Sequence, residues 1–407
     1  MKPDENGNFL VGIEDIAQEW MPGDRVWDYD RAKEASLRDF EEFLATMPEV
    51  PEKYKESGRL AAYIDWSCIV KKQGFLTRDS MLMAKNWMCD VWSWDHCFNA
   101  IALSYHNPAA AWDQFMLMFD YQHESGCLPD SVSDAYALWA AVKPPIHGWA
   151  LGKMMQNMLL TPEQCKEAYT RLSKWTQWWL NWRDEDEDGI CEYQDGCDSG
   201  WDNSTAFRDH SVVETPDLPA YLILQMELLG KLADKLNYAE ESEAWKEQAD
   251  AMFRKYLAHS FENGRSKSVF SGTHEIIESE SLILYLPLLL GKRLPEEIRG
   301  NMIADLKSDR FLTVNGLATE SVSSVMYHPD GYWRGPIWAP STMLLVDGLN
   351  NCGETEFARE ISRRFCDMAA KSGFAENYDA LTGEGLRDRA YTWTSSVFLI
   401  LAKEYLL

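Results

Sequence analysis

Amphipathic helical periodicity runs through most of this chain and constrains its fold more than any other feature. One apolar stripe, in residues 241–260, is made of Trp245, Ala249, Met252, Phe253 and Tyr256. The segment 161–183 begins with Thr161, a favourable N-cap, and has Pro162 in its first turn. Further helices are expected near 31–47, 58–71, 78–87, 94–105, 108–120, 131–141, 145–160, 217–237, 276–290, 295–307, 337–350, 355–372 and 391–405.

Strand patterns are few and short, and the best of them is "RSKSVFSG" at 265–272. No repeat of fixed period and no Pro/Gly/Ser linker divides the chain. We therefore expect an all-α fold: one (α/α)6 barrel, a toroid of paired helices. It would form a single domain over residues 1–407, with 1–30 as an N-terminal extension packing on it.

Charge and cysteine usage exclude several classes of partner. The 407 residues carry a net charge of −26, which disfavours nucleic acids and anionic membrane surfaces as partners. The first twelve residues contain no signal-peptide pattern, and no run reaches the roughly 18 apolar residues of a membrane span. The nine cysteines include no CxxC pair, which indicates reduced thiols and a cytoplasmic location.

Aromatic and acidic residues concentrate between the helices. Five segments share this composition: 86–96, 121–133, 184–207, 317–338 and 373–393. Loops at one end of a helical ring gather together, so we expect these segments to build one pocket. The 18 tryptophans favour a sugar ligand, because flat rings stack on the C–H faces of sugars.

The stretch "DSGWDNST" at 198–205 places Asp202 directly after the Trp201 indole. An aromatic neighbour desolvates a carboxyl group and favours its neutral form, as a general acid requires. Cleaving a glycosidic bond needs a second carboxyl group as base or nucleophile. "FAENYD" supplies Glu376 for that role in another aromatic loop.

The acidic run "DEDEDG" at 184–189 has three interpretations. Asp184, Asp186 and Asp188, followed by Gly189, match the start of a calcium-binding EF-hand loop, although the twelfth position is Asp195 rather than Glu. The run could equally be a solvated turn, or the Mg²⁺-binding box of a helical terpene synthase, which would also need a basic cluster. "HEIIE" at 274–278 lacks the second His of a zinc-protease motif.

Three motifs in order, "SGWDNST", "GYWRGPIW" and "AENYDALTGEG…YTWTS", resemble the catalytic domain of glycoside hydrolase family 63. With "VWSWDHCFNA" and "HESGCLPD" they span residues 86–396. That family includes processing α-glucosidases and bacterial mannosylglycerate and glucosylglycerate hydrolases. The resemblance implies an (α/α)6 barrel and inverting hydrolysis, with Asp202 as general acid and Glu376 as general base. Inversion requires the two carboxyl groups to lie ~6.5–9.5 Å apart.

The resemblance also implies a set of sugar-binding side chains. They are Trp94, Asp95, Gln122, Trp201, Trp333, Arg334, Trp338 and Tyr378. The chain departs from the family pattern at Thr392, where Gly is usual, and in having no room for the N-terminal β-domain of larger members. Glu384, eight residues after Glu376, is a rival for the base.

The sequence therefore predicts an inverting hydrolase that removes a terminal α-glucosyl or α-mannosyl residue from a small glycoside. Glucosylglycerate and mannosylglycerate are alternative substrates. No cofactor is required, although a structural calcium ion is an option. The rival classes are a non-catalytic carbohydrate-binding toroid and a helical terpene synthase.

Overall fold

The computed structural model describes residues 5–9, 11, 28–209 and 212–407. Most of the expected N-terminal extension, residues 1–30, lies outside these ranges. In the described residues the chain is mainly helical. The α-helices are α1 (Tyr29–Leu44), α2 (Lys55–Ser67), α3 (Asp95–Leu103), α4 (Pro108–Asp120), α5 (His147–Asn157), α6 (Pro162–Trp182), α7 (Gly196–Ser199), α8 (Asp217–Lys235), α9 (Ala239–His259), α10 (Glu296–Leu306), α11 (Ala339–Cys352), α12 (Thr355–Ser372) and α13 (Thr392–Leu401). Three 3-10 helices (Glu52–Tyr54, Thr205–Phe207 and Leu282–Arg293) and a π-helical segment (Ala402–Leu406) complete the helical elements.

Local sequence explains where several helices begin. Thr161 and Gln164 form a reciprocal capping box at the start of α6, with Pro162 in the first turn as the sequence predicts. The Asn107 side chain caps α4 ahead of Pro108. The predicted stripe on α9 is also confirmed, because its Trp, Ala, Met and Tyr members are all buried.

Six helical elements form a closed cycle of contacts, in which each element packs against the next along the chain and the last packs against the first. Helix α3 packs against α5, α5 against α8, and α8 against the 3-10 helix Leu282–Arg293; that helix packs against α11, α11 against α13, and α13 against α3. Every residue of α3 and α13 is buried, as expected of helices that are enclosed on all sides. Helices α2, α4, α6, α9 and α10 each pack on one member of this group, and α12 packs on two, α11 and α13. Helix α12 buries only one face.

The strands are short and form small antiparallel pairs and triplets at the loops. Their bounds are β1 (Ile69–Val70), β2 (Ser80–Met81), β3 (Val91–Trp92), β4 (Ser131–Val132), β5 (Ala137–Leu138), β6 (Val213–Glu214), β7 (Phe261–Glu262), β8 (Arg265–Ser266), β9 (Ser268–Phe270), β10 (Ile276–Ile277), β11 (Asn377–Tyr378) and β12 (Gly385–Leu386). Strands β8 and β9 confirm the strand predicted in "RSKSVFSG".

Two of the predicted helices are wrong, and a third is confirmed only from Leu282 onward. Residues 78–87 contain β2, which pairs with β1. Residues 131–141 form the β4–β5 hairpin, which joins β3 in a three-stranded sheet. In 276–290 the chain first pairs as β10 with β9 and only then enters the 3-10 helix at Leu282. In each segment cross-strand pairing outweighs a short apolar run that also fits a helix turn.

The buried apolar side chains form one contiguous cluster that reaches from α1 to α13. All nine cysteines are free thiols. Among the described residues, the helices are too short or too polar for any of them to cross a membrane.

Candidate active site

A cavity of about 170 Å³ collects residues from four of the five aromatic loops. Its polar lining consists of Asp95, Lys143 and Asp202. The aromatic lining consists of Trp92, Trp94, Tyr332, Trp333, Tyr391 and Trp393. The predicted gathering of distant loops at one pocket is thus observed for the first, third, fourth and fifth segments.

A second and larger cavity, of about 820 Å³, lies between α1, α2 and α4 and shares no lining residue with the first. Its carboxyl groups, on Asp39, Glu42 and Asp79, are not buried. We assign the chemistry to the smaller cavity because buried carboxyl groups with perturbed pKa values concentrate there.

Asp202 is placed by the turn at the end of α7. Asp195 caps that helix by accepting hydrogen bonds from the backbone of Cys197 and Asp198. Gly200 ends it with a positive φ of 74° and lies against the Trp94 ring, where a Cβ would approach the ring carbons to 2.6 Å. Glycine is therefore required for the chain to turn back and present Asp202 to the cavity.

The buried Asp198 carboxylate joins this turn both to Arg183, at the end of α6, and to the loop before α5. The Asp198 carboxylate accepts from Arg183 Nη1 at 2.9 Å and from the Val142 backbone N–H at 3.0 Å. The next residue, Lys143, donates from Nζ to the Cys197 carbonyl at 2.7 Å. These bonds bring the Lys143 ammonium group to 4.0 Å from Asp202 Oδ1 and 3.5 Å from Asp130 Oδ1.

The Lys143 ammonium group thus interacts electrostatically with three carboxyl groups, those of Asp95, Asp130 and Asp202. Burial raises the pKa of Asp95 to about 8, and Lys143 opposes that rise. Burial raises the pKa of Asp130 to about 6, again against Lys143. Burial also raises the pKa of Asp202, although 35% of its side chain stays exposed toward the cavity, and Lys143 again favours the ionised form. One cation cannot neutralise three carboxylates, and Asp95, with a pKa of about 8, retains its proton near neutral pH.

Glu376 lies beside the cavity rather than in its lining. Its negative charge raises the pKa of the Tyr332 and Tyr391 phenols, both of which line the cavity. The charge of Asp202 has the same effect on Tyr332. Burial raises the pKa of Glu376, while Arg387 and a hydrogen bond from Tyr332 favour its ionised form. The strand pair β11–β12 holds this segment in place. The rival base at position 384 is exposed.

Three tryptophans pack together behind the cavity. Trp333 lies parallel to Trp338 with ring centroids 4.2 Å apart, and the Trp201 centroid lies 4.6 Å from that of Trp333. Trp201 and Trp338 are fully buried and do not line the cavity. Both pack against Trp333 and support it, and their sugar contacts stay a prediction. Trp94, Asp95 and Trp333 do line it, as the resemblance implies.

The structure does not bring Gln122, Arg334 or Tyr378 into the cavity lining. The Gln122 amide donates to the carbonyls of two other residues, Gly126 and Arg171, and so holds its own loop against α6. The Tyr378 hydroxyl donates to a backbone carbonyl at 2.6 Å, and the ring is fully buried. Arg334 acts on a buried glutamate at position 320, and its Nε has no hydrogen-bond partner among the described residues. These polar groups are used within the fold.

Sequence reasoning missed Lys143, Tyr332, Trp92, Tyr391 and Trp393, all of which line the cavity. Tyr332, Tyr391 and Trp393 stand within the quoted motifs, so the aromatic composition of those motifs is a usable signal. Lys143 lies in "AVKPPIHG", which is outside every aromatic loop. Two tertiary hydrogen bonds place it at the site: the preceding backbone N–H donates to the Asp198 carboxylate, and Lys143 Nζ donates to the Cys197 carbonyl.

The family model for the mannosylglycerate hydrolase MGH1-like glycoside hydrolase domain matches residues 88–394. This chain belongs to that family. It is a glycoside hydrolase of family 63, as the motifs predict. Membership does not support the rival classes, a terpene synthase and a non-catalytic sugar-binding toroid.

Two similar relatives are named as hydrolases of glycosylglycerates. A mannosylglycerate hydrolase of Rubrobacter radiotolerans is 23% identical over 401 residues, with 77% of this chain and 90% of the relative covered. A glucosylglycerate hydrolase of Mycolicibacterium hassiacum is also 23% identical, with 76% of this chain and 91% of the relative covered.

Solved structures share the fold at low identity. The family 63 mannosylglycerate hydrolase of Thermus thermophilus, in complex with Tris and D-glycerate, gives a TM-score of 0.73 at 19% identity and covers 84% of this chain and 98% of its own. The neutral trehalase of Saccharomyces cerevisiae gives a TM-score of 0.65 at 16% identity, over 81% of this chain and 73% of its own.

Proposed function

We propose that this glycoside hydrolase cleaves the α-glycosidic bond of a glucosylglycerate or mannosylglycerate with inversion. Asp202 is the general acid and Glu376 the general base. The observation that carries the proposal is that two carboxyl groups on separate loops, partly exposed Asp202 and buried Glu376, both interact electrostatically with Tyr332 in the cavity wall. The relatives that match along most of their length are named as glycosylglycerate hydrolases, which supports this substrate class.

The proposed scaffold is an (α/α)6 barrel forming one catalytic domain. The cycle of contacts among six enclosed elements, α3, α5, α8, the 3-10 helix Leu282–Arg293, α11 and α13, supports an inner ring. The helices that pack on them, α2, α4, α6, α9, α10 and α12, support an outer ring. A cytoplasmic location is part of the proposal and rests on the unpaired thiols.

In the proposed reaction, protonated Asp202 donates its proton to the glycosidic oxygen as the bond from that oxygen to C1 breaks. A water attacks C1 from the opposite face and gives its proton to the Glu376 carboxylate. Burial raises the pKa of Asp202 and so favours its protonated form, whereas Arg387 and Tyr332 favour ionised Glu376 against the effect of burial, which raises its pKa as well. Asp95, with a pKa of about 8, is neutral at pH 7 and is able to donate a hydrogen bond to a sugar hydroxyl.

The surroundings of the cavity suit a small anionic glycoside. Its volume of about 170 Å³ is below the ~300–1,000 Å³ of sites for drug-sized ligands, and so fits a single sugar unit. Arg387 lies over the Tyr332 ring, 4.9 Å from its centroid, and pairs with exposed Asp330. In a bound substrate whose glycerate extends out of the cavity past Tyr332, the carboxylate would contact the Arg387 guanidinium group.

The test compares Asp202→Asn and Glu376→Gln with the matched control Glu384→Gln. Each site variant should lose about 10²–10⁴-fold in kcat on α-glucosylglycerate or α-mannosylglycerate, because general acid and base catalysis contributes that much. The control should stay within about twofold, since an exposed carboxylate outside the cavity has no role in proton transfer. Circular dichroism should show all three variants folded.

Near-normal turnover by either site variant on the better substrate would refute the assignment, and so would a control variant that is inactive. A panel that adds α-linked glucose and mannose disaccharides identifies the aglycone. Hydrolysis of the disaccharides but of neither glycerate would reject the substrate class while leaving the two carboxyl roles intact.

A further inference from the structure

A second cluster of ionisable side chains lies outside the active-site cavity, where the acidic run 184–189 meets two histidines. Its members come from four segments: Asp188 in the turn after α6, Glu214 on β6, His259 at the end of α9, and His274 in the turn between β9 and β10. One ligating atom from each lies within 4.8 Å of the others. Residues far apart in sequence therefore converge on a single point.

The spacing of these atoms matches a four-coordinate metal shell. Asp188 Oδ2 is 3.7 Å from His259 Nε2 and 3.6 Å from His274 Nε2. Glu214 Oε2 is 2.6 Å from His259 Nε2 and 3.9 Å from His274 Nε2. Metal–ligand bonds of ~2.0–2.2 Å in a tetrahedron place ligand atoms roughly 3.4 Å apart. Small side-chain movements suffice to reach that geometry.

The buried Glu214 carboxylate is an independent indication of a cation site. Its side chain has no exposed surface, and within the described residues neither carboxylate oxygen receives a hydrogen bond. His259 Nε2 likewise has no hydrogen-bond partner there, because its close approach to Glu214 lacks hydrogen-bond geometry. Buried carboxylates are normally paired or bound to a metal ion. The Glu214 carboxylate and His259 Nε2 thus lie side by side without a hydrogen bond between them, as two ligands of one metal ion would.

The contacts around the two histidines are also compatible with metal binding. His259 Nδ1 lies 3.1 Å from Ser260 Oγ, which orients the ring and leaves Nε2 for a ligand. His274 Nε2 lies 2.9 Å from Asp186 Oδ2, but its side chain is 44% exposed and is free to turn. Asp186 also accepts from the Gly272 backbone at 3.0 Å, so it keeps a hydrogen-bond partner when His274 Nε2 turns from it to the ion.

We propose that Asp188, Glu214, His259 and His274 bind one divalent transition-metal ion. Two imidazoles and two carboxylates suit zinc and its neighbours, whereas calcium takes six to eight oxygen ligands. The ion differs from the calcium expected from the acidic run alone, because no local pattern indicates that two distant histidines join it. The site is structural: it ties four segments together and contributes no residue to the cavity.

The ion would support the active-site loop indirectly. Val213, beside Glu214, pairs with Tyr193 in an antiparallel bridge. Tyr193 lies two residues before Asp195, the cap of α7, which precedes Asp202. Binding therefore stabilises the segment that carries the proposed acid and takes no part in the reaction.

The experiment uses the full chain, stripped with a chelator and desalted. Titration with ZnCl2, CoCl2 and CaCl2 is followed by calorimetry and by thermal unfolding. We expect one equivalent of Zn²⁺ or Co²⁺ to bind and to raise Tm by several degrees, with Ca²⁺ at least tenfold weaker. His274→Ala should lose that equivalent and the rise in Tm. Its exposed side chain makes this variant safe for folding, and His259→Ala is the second variant.

The matched control is His106→Ala, an exposed imidazole between α3 and α4. It should bind like the wild type, which separates the proposed site from metal bound at an exposed imidazole elsewhere on the surface. Equal binding by all variants would overturn the proposal, as would no bound Zn²⁺ or Co²⁺, or tighter binding of Ca²⁺. All readouts are independent of glycosidase activity.

Discussion

At the scale of single residues, the decisive feature is one ammonium group among three carboxyl groups. Lys143 is the only cation among the described residues that line the cavity. Its attraction for Asp202, Asp130 and Asp95 opposes the effect of burial on each of them. Lys143 is thus a positioning residue that sets how strongly the proposed acid holds its proton.

Replacing Lys143 with Met should move the basic limb of the pH profile of kcat/KM to higher pH. That limb reports loss of the Asp202 proton, and removing the nearby positive charge raises the pKa of Asp202 further. We also expect kcat at pH 7 to fall roughly ten- to hundredfold, since a weaker acid transfers its proton less readily.

Lys143→Arg keeps the charge and should leave the limb close to its wild-type position. Lys153→Met removes another buried lysine, which pairs with Asp347 and Glu404 away from the cavity. This control should lower stability without moving the limb. A limb that shifts equally in both methionine variants would contradict the role of Lys143.

Asp95→Asn should stabilise the protein more at pH 8 than at pH 5. The folded state holds the Asp95 proton up to about pH 8, whereas the usual pKa is 3.8, so stability falls as pH rises through that window. Asparagine does not titrate, so the variant avoids this fall in stability. Its free energy of unfolding at pH 8 should exceed that of the wild type by roughly 1–3 kcal/mol. Urea unfolding at the two pH values measures this. A gain that is larger at pH 5 would show that Asp95 is ionised in the folded protein.

At the scale of elements, the turn after α7 depends on a glycine where the chain reverses toward the cavity. Gly200→Ala should lower stability by roughly 2–4 kcal/mol, from the positive φ and from contact with the Trp94 ring. It should also lower kcat, because Asp202 and the Trp94 wall are displaced together.

Gly353→Ala is the matched control for backbone strain alone. Gly353 ends α11 in the same left-handed region, with a φ of 91°, and the nearest atom to the added Cβ, on Lys292, lies at an ordinary contact distance of 3.7 Å. It should cost only roughly 1–2 kcal/mol and leave kcat unchanged. Equal effects of the two substitutions on thermal unfolding and on kcat would contradict the contact with Trp94.

Local signals in the sequence predict helices reliably here, whereas distant pairings escape them. The capping residues of α6 and the stripe of α9 identify helices directly, because caps and periodicity act within one segment. Residues 131–141 instead form a hairpin because they pair with β3, which lies far earlier in the chain.

The same distinction holds for the candidate site. Asp202 and Glu376 stand in recognisable motifs, whereas Lys143 reaches the site through hydrogen bonds of the 142–143 segment with Asp198 and the Cys197 carbonyl. Tyr378 stands in a motif but bonds within the fold. Composition predicts that a polar group is present in a loop, but the packing of other segments decides which way it faces.

At the scale of the whole molecule, buried polar contacts join segments from opposite ends of the sequence. Asn99 on α3 bonds to Thr392 on α13. Lys153 on α5 reaches Asp347 on α11 at 3.3 Å and Glu404, near the C-terminus, at 3.0 Å. Burial lowers the pKa of Lys153, but the two carboxylates outweigh it and keep the lysine charged.

Lys153→Met should therefore lower the free energy of unfolding by about 3–5 kcal/mol, because it leaves two carboxylates without their cation. Thermal unfolding should remain a single transition, since α5 and α11 belong to one contiguous core. The double variant Lys153→Met/Asp347→Asn should recover part of the loss. Additive losses in the double variant would contradict the pairing.

The most direct test of the central claim is the configuration of the first sugar released from an α-glycosylglycerate. Proton NMR recorded within the first minutes of hydrolysis distinguishes the anomers before they equilibrate. Asp202 and Glu376 acting on opposite faces of the sugar predict that the β-anomer appears first and the α-anomer follows by mutarotation. An α-anomer formed first would require a covalent intermediate and would contradict the proposed mechanism.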